Sequence, residues 1–188
     1  IMNIVATSPS FSKNKVLQEA IFKYFPNAKL NLTGKRFNQN ELIEYIKNAD
    51  GIIVGLENIN EEVLVKCTNL KIISKYGVGL NNININDCKQ RDIKIGWTGG
   101  VNKLSVAEMT LGYMLMLCRN LFITSNELKT GKWNKSGGFQ LSGKTIGIIG
   151  VGFIGKEIIR LLKPFNCTIL VNDVINQDEY YLENNLKK

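Results

Sequence analysis

Short apolar runs alternate with segments of helical spacing through the first hundred residues. Residues 2–6, 28–32, Gly51–Val54, 70–74 and 93–97 are of strand length and apolar throughout, the pattern of parallel strands covered by helices on both faces. Between them residues 13–24, 40–47, 61–67 and Ile85–Gln90 carry helical spacing. Asn60 ahead of Glu61 and Glu62 predicts a capped helix start, with carboxylates in the positive first turn. Repeated βα units of this kind predict an α/β fold, an open doubly wound sheet over residues 1–98.

The pattern changes after Thr98-Gly99-Gly100, which reads as a flexible break. Residues 105–128 read as one long helix, with Ser105 and Glu108 at the spacing of a capping box. Its middle, 109–117, is apolar on nearly every face, so it is expected inside the protein or against a partner subunit. A loop over 131–142 holds Trp133. A strand at Thr145–Ile149, a helix at 156–165 and a strand at 168–173 follow, then part of a further helix.

Composition narrows the chemistry. The 188 residues carry a net charge of +8 and no histidine, so no imidazole base or ligand exists in this chain. Cys67, Cys88, Cys118 and Cys167 form no CxxC pair, which leaves no zinc spacing and predicts structural thiols in a reducing, cytoplasmic compartment. The lysine excess is scattered and lacks an aromatic platform, so no nucleic-acid partner is expected. The longest apolar run, 109–118, covers about half a bilayer and contains Gly112, so no membrane span is expected. The apolar residues 1–6 lack the basic flank and cleavage site of a secretory signal.

The strongest local signal is Gly150-Val151-Gly152-Phe153-Ile154-Gly155 after an apolar strand, with Asp173 following Gly155 by 18 residues. That context, and not the glycines alone, marks a dinucleotide site. Gly150 permits the tight turn, Gly152 lets backbone approach a pyrophosphate, and Gly155 lets helix pack on strand. The amides of Phe153 and Ile154 would donate to phosphate at the positive helix end. Asp173 would accept from the adenosine ribose hydroxyls and repel a 2′-phosphate, which favours NAD over NADP. A second cluster, Lys75-Tyr76-Gly77-Val78-Gly79-Leu80-Asn81-Asn82, follows the fourth strand. Glycines there can turn backbone N–H groups toward one anion, and Lys75 could add charge for a carboxylate, although an ordinary loop has the same spacing. The stretch from Gly99 to Glu108 reads on physical grounds as a hinge and helix cap only.

Together these stretches resemble the D-isomer-specific 2-hydroxyacid dehydrogenases, and more closely their phosphoglycerate dehydrogenase-like branch. The matching residues are Lys75-Tyr76-Gly77-Val78-Gly79 with Asn82, Thr98-Gly99-Gly100-Val101-Asn102 with Ser105-Val106-Ala107-Glu108, and Leu111-Gly112. Gly131-Lys132-Trp133, Leu141-Ser142-Gly143-Lys144 and Gly150 to Gly155 complete a series running from about residue 50 to 175. The resemblance implies a flavodoxin-like substrate-binding lobe over residues 1–98, followed by an incomplete Rossmann NAD-binding lobe over 99–188. It implies that the Gly77-Val78-Gly79 backbone binds the substrate carboxylate, with Asn102 near the cleft. Val106 and Thr110 would border the nicotinamide, and the helix over 105–128 would join a homodimer.

Departures from the family pattern are Asn81 where Asp is usual and Gly99 where Pro is common. Gly55-Leu56-Glu57 stands where phosphohydroxypyruvate readers often place an Arg, and Glu57 would repel a phosphate. The family's catalytic arginine, glutamate and histidine lie in the second half of the Rossmann lobe, beyond this sequence. No catalytic residue is therefore assigned, and the chain is expected to be the inactive first part of an NAD-dependent 2-hydroxyacid dehydrogenase. Its parent would move hydride between NAD and C2 of a 2-hydroxy or 2-oxo acid. The alternative is a non-catalytic NAD-binding or protein-interaction module.

Overall fold

A computed structural model describes residues 2–188; Ile1, the first residue of the apolar 1–6 stretch, lies outside the described residues. The chain divides into two compact units, Ile1–Thr98 and Gly99–Lys188.

In the first unit, strands β1 (Ile4–Ala6), β2 (Lys29–Leu30), β3 (Gly51–Val54), β4 (Ile72–Lys75) and β5 (Lys94–Gly96) form one parallel sheet. Their order, β2-β1-β3-β4-β5, is the flavodoxin-like one. Register explains the core. Val5 pairs with Ile52, Ile52 with Ile73 and Ile73 with Ile95, so four apolar side chains line one face in a row. That row packs under α3 (Gln39–Ile46), α4 (Glu61–Lys66) and α5 (Ile85–Gln90) through Leu42, Ile46, Val63, Leu64 and Cys88. Ile4, Ala6 and Ile53 point to the other face, against Phe11 and Ile21.

The helix expected over 13–24 is α2 (Lys15–Tyr24), and a short helix that was not expected, α1 (Pro9–Lys13), precedes it. Asn14 between them is extended, and its side chain accepts from the Leu17 N–H at 3.2 Å. An asparagine that caps a new helix competes with continuing the old one. Asn60 caps α4 as expected, through the Val63 N–H. The full capping box lies elsewhere, at Asn38 and Glu41 ahead of α3.

The second unit contains α6 (Lys103–Cys118), α7 (Leu121–Lys129), β6 (Thr145–Ile149), α8 (Phe153–Leu162), β7 (Thr168–Asn172) and α9 (Asp178–Glu183). The single helix expected over 105–128 is broken, and α6 and α7 meet at a 67° bend. The cause is local. Asn120 is left-handed at φ 51°, and the Cys118 carbonyl accepts from the Phe139 N–H at 2.9 Å instead of from a next helical turn. The Ser105–Glu108 capping box does not form, because α6 begins two residues earlier and carries Ser105 inside its first turn.

Nor is α6 buried all round. Leu111, Met114, Leu115 and Cys118 pack on the unit's core, whereas Met109, Tyr113 and Leu117, four residues apart, are 55%, 54% and 71% exposed. Strands β6 and β7 pair in parallel from Thr145–Thr168 to Ile149–Asn172. They support α8, whose Ile158, Ile159 and Leu162 are buried with Val151, Ile169 and Val171. On its other edge β7 exchanges hydrogen bonds with Lys187: the Val171 N–H donates to Lys187 at 2.7 Å, and the Lys187 N–H to Ile169 at 3.0 Å. Cys67 and Cys88 are buried, Cys118 and Cys167 half-buried, and all four are free thiols. Burial pushes the Cys67 and Cys88 thiols up, out of reactive range.

Candidate functional site: two glycine loops at strand ends

The Gly150–Gly155 turn sits at the carboxyl end of β6, where ligands bind in open α/β sheets. Its three glycines stand in three different settings. Gly150 is left-handed at φ 91°, and its N–H extends the ladder to the Asn172 carbonyl at 2.8 Å. A Cβ at Gly152 would meet no protein atom within 4 Å, so nothing in the chain itself fills that space. A Cβ at Gly155 would run into the Gly150 carbonyl. The N–H groups of Gly152, Phe153 and Ile154 have no acceptor among the described residues and lie at the positive end of α8. Free amides, a helix N-terminus and an open cradle fit a dinucleotide pyrophosphate.

Asp173, the first residue after β7, does more than the sequence suggests. Its Oδ2 accepts from the Val151 N–H at 2.6 Å and from the Gln177 amide at 3.2 Å, while Oδ1 accepts from the Ile175 N–H at 2.9 Å. These bonds, led by the Ile175 and Val151 amides, hold its pKa below the ordinary carboxylate range. The carboxylate therefore pins the glycine turn before any ligand arrives. Three donors on about four acceptor positions leave room for a further hydroxyl. Gln177, which also donates to the Val151 carbonyl at 3.0 Å, carries no motif signal in the sequence.

On α6, Asn102 stands at the N-cap position, but its side chain caps nothing. The asparagines at 14, 38, 60 and 84 all cap their helices, so the Asn102 amide is uncommitted by contrast. Val106 and Thr110 are half-buried one turn apart, and the Thr110 hydroxyl donates to the Val106 carbonyl at 2.8 Å.

The first unit carries the other loop, after β4. The N–H groups of Gly77, Val78 and Gly79 have no acceptor among the described residues, and Gly77 has φ 131°, open only to glycine. Beneath the loop lies a polar joint. The Lys75 ammonium donates to the Gly55 carbonyl and, at 2.7 Å, to Asn82 Oδ1. The Asn82 amide donates to the Glu57 carbonyl at 2.6 Å, and the Glu57 carboxylate accepts from the Gly55 N–H at 2.6 Å. Burial lowers the Lys75 pKa, and the Glu57 charge opposes that shift. Lys75 thus braces the loop against the β3 turn, with one of its three donors left. Glu57 is 6% exposed, and that bond to the Gly55 amide turns it inward. Sequence reading missed Trp97, whose indole N–H donates to the Val78 carbonyl at 2.8 Å. Its position at the end of β5, beside a glycine loop, was the available signal.

An apolar cleft of about 510 Å³ beside α2, lined by Met2, Ile4, Phe11, Ile21, Ile53 and Ile72, offers no chemistry of its own. Among the described residues no three His, Cys, Asp or Glu side chains gather where a metal could sit, and no single helix is long and apolar enough to cross a membrane.

Residues 9–181 match the family described as D-isomer specific 2-hydroxyacid dehydrogenase, catalytic domain. A hydroxypyruvate reductase of Thermotoga maritima is 35% identical over 147 residues, covering 77% of this chain and 48% of that protein. A D-3-phosphoglycerate dehydrogenase of Methanocaldococcus jannaschii is 35% identical over 138 residues, covering 72% of this chain and 26% of its own. The NAD+-bound 3-phosphoglycerate dehydrogenase of Entamoeba histolytica superposes with a TM-score of 0.74 at 29% identity, over 94% of this chain and 56% of that one. The chain spans about half the length or less of the curated relatives it matches. With its two glycine loops and the extent of the match, this chain belongs to the D-isomer-specific 2-hydroxyacid dehydrogenase family.

Proposed function

We propose that this chain supplies the cofactor turn and the substrate-carboxylate loop of an NAD-dependent 2-hydroxyacid dehydrogenase. The parent reaction is hydride transfer between NAD and C2 of a 2-hydroxy or 2-oxo acid. The observation that carries this reading is the Gly150–Gly155 turn, with three free amides, an open cradle at Gly152 and an anionic Asp173. Gly152, Phe153 and Ile154 would hold the pyrophosphate, and Asp173 the adenosine ribose. When bound, the nicotinamide supplies the acceptor or donor of hydride. Val106 and Thr110 on α6 would border it.

The Gly77, Val78 and Gly79 amides would fix the substrate carboxylate, and Asn102 would offer a further polar contact. Anchoring a carboxylate on backbone amides orients C2 at little entropic cost, because the donors are already in place. The chain has no histidine to move the carbinol proton, so by itself it turns over no 2-hydroxy acid. That same absence supports the alternative of a non-catalytic NAD-binding or protein-interaction module. The exposed Met109, Tyr113 and Leu117 stripe on α6 supports a homodimer through residues 105–128. Four free thiols support a cytoplasmic setting.

Calorimetric titration of the chain with NAD and NADP tests the cofactor reading: NAD should bind and NADP should bind more weakly. Failure of both to bind overturns it. NAD-dependent oxidation of a 2-hydroxy acid by the pure chain would overturn the claim of inactivity. A longer parent that binds NAD but reduces no 2-oxo acid would favour the non-catalytic module.

A further inference from the structure

We propose that Trp97 is a positioning residue for the carboxylate loop: by holding the Val78 carbonyl, its indole N–H aims the Gly79 N–H at the bound anion. The inference rests on reading Gly77-Val78-Gly79 as the carboxylate site. A trans peptide is planar, so the Val78 carbonyl and the Gly79 N–H point in opposite directions from one rigid plate. Whatever holds one end fixes the direction of the other. The indole contact, 2.8 Å long, is at the short end of the normal N–H···O range.

This plate needs a holder. Glycine stands on both sides of Val78, and Gly77 at φ 131° offers little resistance to rotation. The loop's base is braced by Lys75 and Asn82, and its entry by the Tyr76 ring set edge-on against Phe11 at 5.4 Å. Neither contact reaches the Val78–Gly79 peptide. Trp97 does, and it is itself well placed, since β5 pairs with β4 through Gly96 and Ser74 directly before it. Trp97 is 46% exposed, so it is not a core anchor. A half-exposed indole with its one donor on a glycine-loop carbonyl is better suited to directing a peptide than to stabilising the unit.

The test uses oxamate, a 2-oxo acid analogue, titrated into the isotope-labelled chain with backbone amide NMR as readout. In the wild type, oxamate should shift the Gly77, Val78 and Gly79 amides saturably. Trp97→Phe, which keeps an aromatic ring and loses the donor, should weaken oxamate roughly five- to tenfold, the effect of losing one directing hydrogen bond. The Ile52 and Ile73 amides should stay unmoved, showing that the sheet is intact. Trp97→Gln restores a donor without the ring and should recover part of the affinity, which a packing role would not give. Unchanged affinity in Trp97→Phe overturns the role of Trp97. A wild-type loop that never responds to oxamate overturns the carboxylate site itself, and the two failures are read from different samples.

Discussion

The two glycine loops reach the same end, free backbone amides at the carboxyl end of a parallel strand, by opposite means. The Gly150–Gly155 turn is held by its own neighbourhood: a left-handed glycine, the first turn of α8, and Asp173 just past the end of the adjoining strand. The Gly77–Gly79 loop is held by side chains brought from three places in the sheet, Lys75 to Gly55, Asn82 to Glu57 and Trp97 to Val78. A locally built site tolerates little change at its glycines and depends little on distant residues. A tertiary-built site reverses both dependences. The surroundings differ in the same sense: the Gly77–Gly79 loop follows β4, which is paired on both sides in a five-stranded sheet, while the Gly150–Gly155 turn follows a strand whose Ile149 is 91% exposed.

The largest effect should come from the glycine with no room. Gly155→Ala pushes a Cβ into the Gly150 carbonyl and should cost about 3 kcal/mol by overpacking, seen as a lower denaturation midpoint and lost NAD binding. Gly77→Ala meets nothing closer than the Lys75 Cε at 3.5 Å. It should carry only its φ strain, about 1–2 kcal/mol, and leave NAD binding intact. If both substitutions cost the same, the contrast between the loops is wrong.

Next in size is the brace of the Gly77–Gly79 loop. Lys75→Met removes a charged donor from the Gly55 carbonyl and Asn82 while keeping the aliphatic stem. A loss of about 1–2 kcal/mol is expected, below the full value for a buried charged bond because the site is half open. Urea denaturation measures it, and amide exchange should quicken from Gly77 to Asn82. Unchanged exchange there would mean that the joint does not brace the loop.

These differences also decide what could be read from the sequence. The Gly150–Gly155 turn was legible because its glycines, strand and helix are contiguous, and its remote carboxylate partner, Asp173, falls at a fixed distance dictated by the βα unit. All the strands of the first unit were legible from apolar runs, β3 with both ends unchanged and the others with ends moved by no more than two residues. What was missed depends on competition between local choices. Asn120 breaks a helix whose apolar spacing continues straight through it, by turning left-handed, and Asn14 caps the expected helix directly after a short one that the spacing did not show. Ser105 and Glu108 match a capping box, but the helix starts before them. The exposed stripe of α6 was hidden inside a segment apolar on every face. Trp97 and Gln177 act across 19 and 26 residues of separation, and no spacing rule links a tryptophan or a glutamine to a backbone carbonyl so far away.

Asp173→Ala should weaken NAD about tenfold, roughly the value of one hydrogen bond to a charged group. It removes both the ribose acceptor and the pin on the Val151 N–H. Asp173→Asn keeps an acceptor for Val151 and should lose less. Equal losses would mean that charge toward the ribose matters and the pin does not. Unchanged NAD affinity in Asp173→Ala would remove Asp173 from the cofactor site.

The smallest effect is a pH dependence, and it separates the pin from the ribose contact without any ligand present. Amide donors lower the Asp173 pKa in the folded chain, so in the window between its folded and unfolded values the unfolded chain binds more protons. Stability then rises with pH across that window. The contribution is complete above the unfolded carboxylate value, about 3.9, and disappears as pH falls through the lower folded value. Urea midpoints followed from pH 6 down to the acid limit should show a slope in the wild type, to which Asp50, Glu62 and Glu127 with their lowered pKa values also contribute, and Asp173→Asn should make it shallower. The lowered pKa of Lys75 acts in the same direction at the other end of the scale: stability rises with pH just below the ordinary lysine value, about 10.4, where the unfolded chain still holds the proton. Lys75→Met should remove that alkaline slope and leave the acid one. If instead Asp173→Asn flattened both, the two loops would not be held separately, and the local-versus-tertiary distinction would fail at its most direct test.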